Sequence, residues 1–255
     1  VHFTKFDFLT LWVRACERQS NIDWYVQHLG LTIGWDSPEE KLTLLQFPNK
    51  QPFTLLAHYP NEPLPEGDVH VCLTTSRLRE TKLALAQEEV ASSDIYETPW
   101  GVEAFDFWDP QGTRLTAVSA PVRSEQQGSR FHSYFLHIAV SDLAVARQWY
   151  EEHLAMVPLE TETCSVKCMG LRMAEDRQMD LPIYLSARNG DAKANATTAI
   201  RPFFQVAGKR QLETAREAFQ SAGITVSPIT GNSDDFMRWF DLWDPDGNPL
   251  YAIAY

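Results

Sequence analysis

The chain has 255 residues, is 44% hydrophobic and 22% charged, and carries 22 Lys and Arg against 34 Asp and Glu, a formal net charge of −12. That composition excludes disordered, fibrous and coiled-coil chains. The acidic balance, with no basic run, argues against nucleic acid or an anionic membrane surface as partner.

No stretch reaches the ~20 consecutive apolar residues of a membrane span, and the opening VHFTKFDFLTLWV has no small-residue cleavage site behind an apolar run. A cytoplasmic protein is therefore the expectation. Cys16, Cys72, Cys164 and Cys168 show no CxxC spacing, so no zinc knuckle or thioredoxin motif is implied. Cys164 and Cys168 share one face of an expected strand, roughly 13 Å apart at ~3.3 Å per residue, too far for a disulfide.

In chain order, residues 8–15 alternate as a strand, and Ile22, Tyr25, Val26 and Leu29 fall on one face of a helix that ends near Gly30. Strands at 31–35, 42–47 and 53–58 follow. A second unit repeats this order, with strand 69–75, helix 77–90 and strands 94–97, 102–108 and 114–119. In the third unit the elements are strand 134–140, helix 143–154 and strands 159–163, 164–173 and 182–187. The fourth has strand 200–207, helix 212–222 and strands 225–229, 238–243 and 250–254. Every unit reads βαβββ, and turn-rich stretches at 60–67 and 188–198 fall in the middle of each half.

The halves are copies of one another. Phe105-Asp106-Phe107-Trp108-Asp109-Pro110-Gln111-Gly112 recurs 135 positions later as Phe240-Asp241-Leu242-Trp243-Asp244-Pro245-Asp246-Gly247. Trp24-Tyr25 and His28-Leu29 recur 125 positions later as Trp149-Tyr150 and His153-Leu154. The polar stretch 122–130 reads as the linker between copies 1–121 and 131–255. Asp-Pro-x-Gly is itself a turn, with proline fixing φ and glycine supplying a positive φ between two strands.

Paired βαβββ units, a Trp-Tyr-x-x-His-Leu helix and a closing Asp-Pro-x-Gly hairpin together resemble the vicinal oxygen chelate superfamily, which includes glyoxalases, bleomycin-resistance proteins and extradiol dioxygenases. The resemblance covers nearly the whole chain. It implies an α+β fold of two tandem domains, in which each pair of units curls into an incomplete mixed β-barrel around a cleft.

Enzymes of that family hold a divalent metal with His, Gln or Glu from the first strand, the first strand of the second unit and the strand after the Asp-Pro-x-Gly turn. Carried onto this chain, those positions hold Thr10, His70 and Thr116 in copy one, and Phe135, Arg201 and Tyr251 in copy two. Only His70 is a first-rate donor, and Arg201 cannot coordinate a cation. The expectation is a cleft without the usual metal centre and without a cofactor.

His137 lies two residues beyond Phe135 on the same strand face, and Trp12 is its counterpart in copy one. A proton-shuttling histidine and a simple cleft histidine both fit that place. His28 and His153, near helix C-termini, read as structural. No GxSxG, GxGxxG, P-loop or HExxH motif occurs.

Three functions stay open. The first is a binder of a small aromatic or acidic organic molecule, the second a metal-dependent lyase, isomerase or dioxygenase, and the third a cleft filled by its own aromatic residues. Under the first, Arg201 anchors the polar end of the ligand while Phe135 and Tyr251 cover its flat part, with Trp12, His70, His137 and Phe203 beside them. The sequence leaves catalysis undecided and is compatible with a homodimer.

Overall fold

A computed structural model describes residues 3–47, 50–58, 67–121, 130–159, 167–174, 182–188, 199–232 and 235–255. The expected linker lies outside these residues except for Arg130, as does Cys164.

Three βαβββ runs and a shorter βαββ run follow one another. The first is β1 (Phe3–Arg14), α1 (Arg18–Leu29), β2 (Thr32–Ser37), β3 (Leu42–Gln46) and β4 (Pro52–His58). The second is β5 (Val69–Thr75), α2 (Leu78–Gln87), β6 (Tyr96–Glu97), β7 (Glu103–Trp108) and β8 (Arg114–Ser119). Next come β9 (Ser133–Val140), α3 (Leu143–Leu154), β10 (Met156–Pro158), β11 (Cys168–Met173) and β12 (Ile183–Ala187). The last run is β13 (Ile200–Val206), α4 (Lys209–Ser221), β14 (Arg238–Trp243) and β15 (Pro249–Ala254).

One expectation is corrected here. The strand expected at 225–229 is reduced to isolated bridges, Val226 to Leu242 and Thr230 to Trp239, around Pro228, which has no amide hydrogen to donate. The strand expected at 159–163 lies outside the described residues except for Leu159; ahead of it β10 starts at Met156, where α3 has closed at Leu154 and Ala155 turns the chain with φ 55°.

Helix ends follow local chemistry. Gly30, with φ 70°, stops α1, and the Asp142 carboxylate caps α3 by accepting from the Ala144 and Val145 amides. Ile22, Tyr25 and Leu29 of α1, and Ala146, Tyr150 and Leu154 of α3, supply the buried faces.

The chain forms two compact units. One comprises residues 1–9, 65–69 and 138–255, the other 10–64 and 70–137. In the second of these, strands neighbour one another in the orders β1-β4-β3-β2 and β9-β5-β8-β7-β6. The orders in the first are β14-β15-β13-β1 and β10-β11-β12-β9. The sheets mix parallel pairs, such as β5 with β8, with antiparallel hairpins such as β7 with β8.

Paired runs forming open mixed sheets are thus what the chain folds into. β1 divides between the units. Its residues 10–14 run parallel to β4, while its earlier part lies beside β13, where the Thr4 hydroxyl donates to the Gln205 carbonyl. Likewise β9 lies beside β5, with the His132 amide donating to the Thr74 carbonyl and the Ala139 amide to the Asp68 carbonyl.

The two repeated strings meet in both halves. Tyr25 donates its hydroxyl to the Asp109 carboxylate at 2.9 Å, and Tyr150 does the same to Asp244 at 3.1 Å. Each aspartate also accepts two turn amides, from Gln111 and Thr113 or from Asp246 and Asn248, so it pins its hairpin to the helix. Burial pushes both carboxyls above the ordinary carboxylate range, and it pushes both tyrosine hydroxyls up as well. The Asp-Pro-x-Gly and Trp-Tyr strings recur together because they are two ends of one contact. Phe105, Phe107 and Phe240 beside them are fully buried, at ~1.5–3 kcal/mol of transfer free energy each.

Candidate functional site

Taken unit by unit, the residues expected at a site fall into two groups. The first lies on the strands β5, β7, β8 and β9. Period-two alternation puts Phe105 and Phe107 of β7 into the core, so Asp106 between them must face the other side. Register then places Asp106 opposite Thr116 of β8, and Thr116 opposite Cys72 of β5.

Asp106 accepts hydrogen bonds from the Thr116 hydroxyl at 2.7 Å and the Tyr96 hydroxyl at 2.9 Å. Arg114, at the start of β8, holds Nη1 3.7 Å from the Asp106 carboxylate. Its Nη2 stands 2.5 Å from Nε2 of His70, which therefore presents a lone pair to the guanidinium.

Phe135 and His137 of β9 complete this face. The His137 ring lies 5.8 Å from that of His70. Trp100 stands over both β9 residues, edge to face, 5.8 Å from Phe135 and 5.1 Å from His137. A tight turn carries it: the Gly101 amide donates to the Thr98 carbonyl, and the Thr98 amide donates to that of Val102. Gly101 takes φ 79°, a conformation that glycine adopts without strain.

His70 and Phe135 are buried, Trp100, His137 and Asp106 half-buried, and Tyr96 exposed. Burial, reinforced by the Asp106 charge, pushes the Cys72 thiol and the Tyr96 hydroxyl well above their ordinary pKa values. Neither is a ready nucleophile or anionic ligand at neutral pH.

The second group gathers Arg201, Phe203 and Tyr251. Phe203 of β13 sits opposite Tyr251 of β15, which sits opposite Asp241 of β14. The Phe203 ring lies 4.6 Å from Tyr251 and stacks on Phe8 of β1 at 4.8 Å. Arg201 is only 2% exposed and donates to its neighbouring Ile200 carbonyl. Burial lowers its pKa, opposed by the charge and hydrogen bond of Tyr251 and by the charge of Asp241.

Of the remaining expected residues, Trp12 is half-buried on β1 with its carbonyl accepting from Gln111, and Thr10 is buried on the same strand. Among the described residues, no three His, Cys, Asp or Glu side chains are grouped so as to hold a metal ion. No helix there is long and apolar enough to cross a membrane. An open groove of about 480 Å³ between Trp149, Ile224, Trp243 and Pro245 contains none of the expected site residues.

Sequence reasoning missed Asp106 and Asp241 although both occupy the second place of the repeated string, between two apolar core residues. It also missed Arg114, two residues before Thr116 and so on the same face. Trp100 carries no signal beyond the turn-forming Thr98-Pro99-Trp100-Gly101 around it.

No family model matches the sequence, and neither does any curated protein. Solved structures do. Glyoxalase I from Zea mays is similar over 99% of this chain and 92% of its own, with a TM-score of 0.69 and 14% identity. A putative dioxygenase from Bacillus subtilis is similar over 99% of this chain and 85% of its own, with a TM-score of 0.63 and 12% identity. With that coverage and four successive runs of strand, helix and hairpin, the chain has the fold of these glyoxalase and dioxygenase structures.

Proposed function

We propose that this chain binds a small organic molecule with a flat, unsaturated part on the face formed by β5, β7, β8 and β9, without the divalent metal that its fold family commonly carries. The observation that carries this reading is Trp100, held by a glycine turn against Phe135 and His137. An aromatic wall above a few convergent polar groups is the usual make-up of a small-molecule site.

The donor set supports binding over metal chemistry. His70 directs Nε2 at the Arg114 guanidinium, and a cation at 2.5 Å competes with a metal for that lone pair. The neighbouring positions carried over from the family hold Thr116 and Phe135, a weak donor and none. Asp106 is engaged by Thr116 and Tyr96.

In the second group Arg201, Phe203 and Tyr251 are each at most 5% exposed and satisfy one another. They suit a self-filled core better than a second binding site, so one ligand per chain is expected. The structures of similar fold include a glyoxalase I and a putative dioxygenase, and a metal-dependent enzyme of those kinds is the second reading. The 5.8 Å approach of His70 to His137 favours it.

Elemental analysis of purified protein, with tryptophan fluorescence titrations of flat organic molecules, tests the proposal. Substoichiometric iron, manganese, zinc and nickel, with a quench lost in Trp100→Phe, is the expected result. One tightly held metal per chain, lost in His70→Ala, would overturn it in favour of the enzyme.

A further inference from the structure

We infer that the molecule bound on the Trp100 face is an organic anion, and that Arg114 is the residue that selects it. This rests on the reading of that face as a binding site, and adds the charge of the ligand to it. Arg114 is 43% exposed at its side chain, so its guanidinium reaches solvent at the rim of the face. The closest polar partner is the His70 ring nitrogen at 2.5 Å.

Its anionic partner is a loose one: Asp106 Oδ2 pairs with Nη1 at 3.7 Å, outside hydrogen-bond distance, while Oδ1 of the same carboxylate accepts from the hydroxyls of Thr116 and Tyr96. Contact with His70 uses one edge of the planar guanidinium, and its other N–H groups keep the fork geometry that carboxylates and sulfonates accept. Trp100, Phe135 and the half-buried His137 beside it lower the local polarity, which strengthens any ion pair formed there. A flat carboxylate could therefore lie along Trp100 with its charge on Arg114, whereas a flat cation would meet the guanidinium head on.

The test is a matched pair of probes, 2-naphthoate and its neutral isostere 2-naphthamide, titrated against the fluorescence of wild type, Trp100→Phe, Arg114→Met and Asp106→Asn. Naphthoate should bind about tenfold tighter than naphthamide, and Arg114→Met should abolish that preference while leaving naphthamide nearly unchanged. Asp106→Asn keeps the hydrogen bonds from Thr116 and Tyr96 but removes the opposing charge, so it should tighten naphthoate several-fold. A misfolded variant could not produce that gain. Equal affinities of both probes, with quenching still dependent on Trp100, would overturn the anion inference and leave the binding face standing. Quenching by neither probe, or quenching that survives unchanged in Trp100→Phe, would overturn the binding face itself and this inference with it.

Discussion

Glu88 holds the ring of His28, its Oε2 2.6 Å from Nδ1, and with the same carboxylate it grips Arg130, which also donates to the His28 carbonyl. Three sequence-distant segments meet there: the end of α1, the residue after α2, and the chain entering β9. The hydrogen bonds from Arg130, with help from His28 and against the cost of burial, hold the Glu88 carboxyl at about 2, below its ordinary 4.5.

A carboxyl whose pKa is depressed by folding adds stability above its unfolded value and loses it as the pH falls toward the folded one. Glu88→Gln should therefore be less stable than wild type at pH 7, by about 1 kcal/mol for a partly solvated network. The gap should close as the pH is lowered from about 4.5 toward 2. Denaturant titrations across that range check it, and a difference that does not change with pH would show that the charge on Glu88 is not what stabilises the contact.

Ala155 ends α3 with φ 55°, in the place where Gly30 ends α1 with φ 70°. A Cβ in that conformation is strained, and glycine relieves it at the cost of a more flexible unfolded chain. Ala155→Gly should stabilise the protein by about 0.5–1 kcal/mol, and Gly30→Ala should destabilise it by about as much. Chemical denaturation of the two variants side by side separates the effect from any change in packing common to both sites.

Much of this architecture is readable from two repeated strings, because each carries a structural part that the other needs: the helix Tyr25 or Tyr150 is a donor, and the turn Asp109 or Asp244 accepts it. Element order follows from alternation and helical spacing for the same reason, since burial on one face is a local property. That β1 and β9 divide between the two compact units was not readable, because both strands are apolar along most of their length and nothing local marks where one unit takes over from the other. The site was half readable. His70, His137 and Phe135 lie on regular strands whose faces can be counted, whereas Trp100 reaches them from a turn whose direction the sequence pattern does not fix. Glu88 shows the remaining limit, since its counterpart at the end of α4 is Ala222, and a clamp present in one copy alone leaves no repeat to detect.

Arg201 should behave as a structural residue. It is buried, its hydrogen bonds run to Ile200 and Tyr251, and Asp241 supplies the opposing charge. Arg201→Met keeps most of the volume but strands part of the Asp241 charge, and should cost about 2–4 kcal/mol. Arg201→Met with Asp241→Asn should recover part of that loss, and a double-mutant cycle measures how much. Additive losses would mean that the two groups are uncoupled. Binding of an aromatic acid that disappears in a well-folded Arg201→Met would place a ligand at this group after all.

Trp100 is the residue on which the binding face depends, and its removal should be visible at His137. The indole covers the imidazole edge to face at 5.1 Å and Phe135 at 5.8 Å, and the turn that carries it is closed by hydrogen bonds among Thr98, Gly101 and Val102 that do not involve the indole. Trp100→Ala should therefore leave the turn and the sheet in place while uncovering the two rings. Diethyl pyrocarbonate acylates neutral, accessible imidazole, so its rate at His137, followed by mass spectrometry, should rise several-fold in the variant. Rates at His28 and His153, which lie on α1 and α3, should stay constant and serve as internal references. The same variant should lose the aromatic wall and with it most of the affinity for a flat ligand, a loss of about 1–3 kcal/mol for one stacking indole. An unchanged His137 rate would mean that the indole does not shield this face, and unchanged ligand affinity would move the binding site elsewhere.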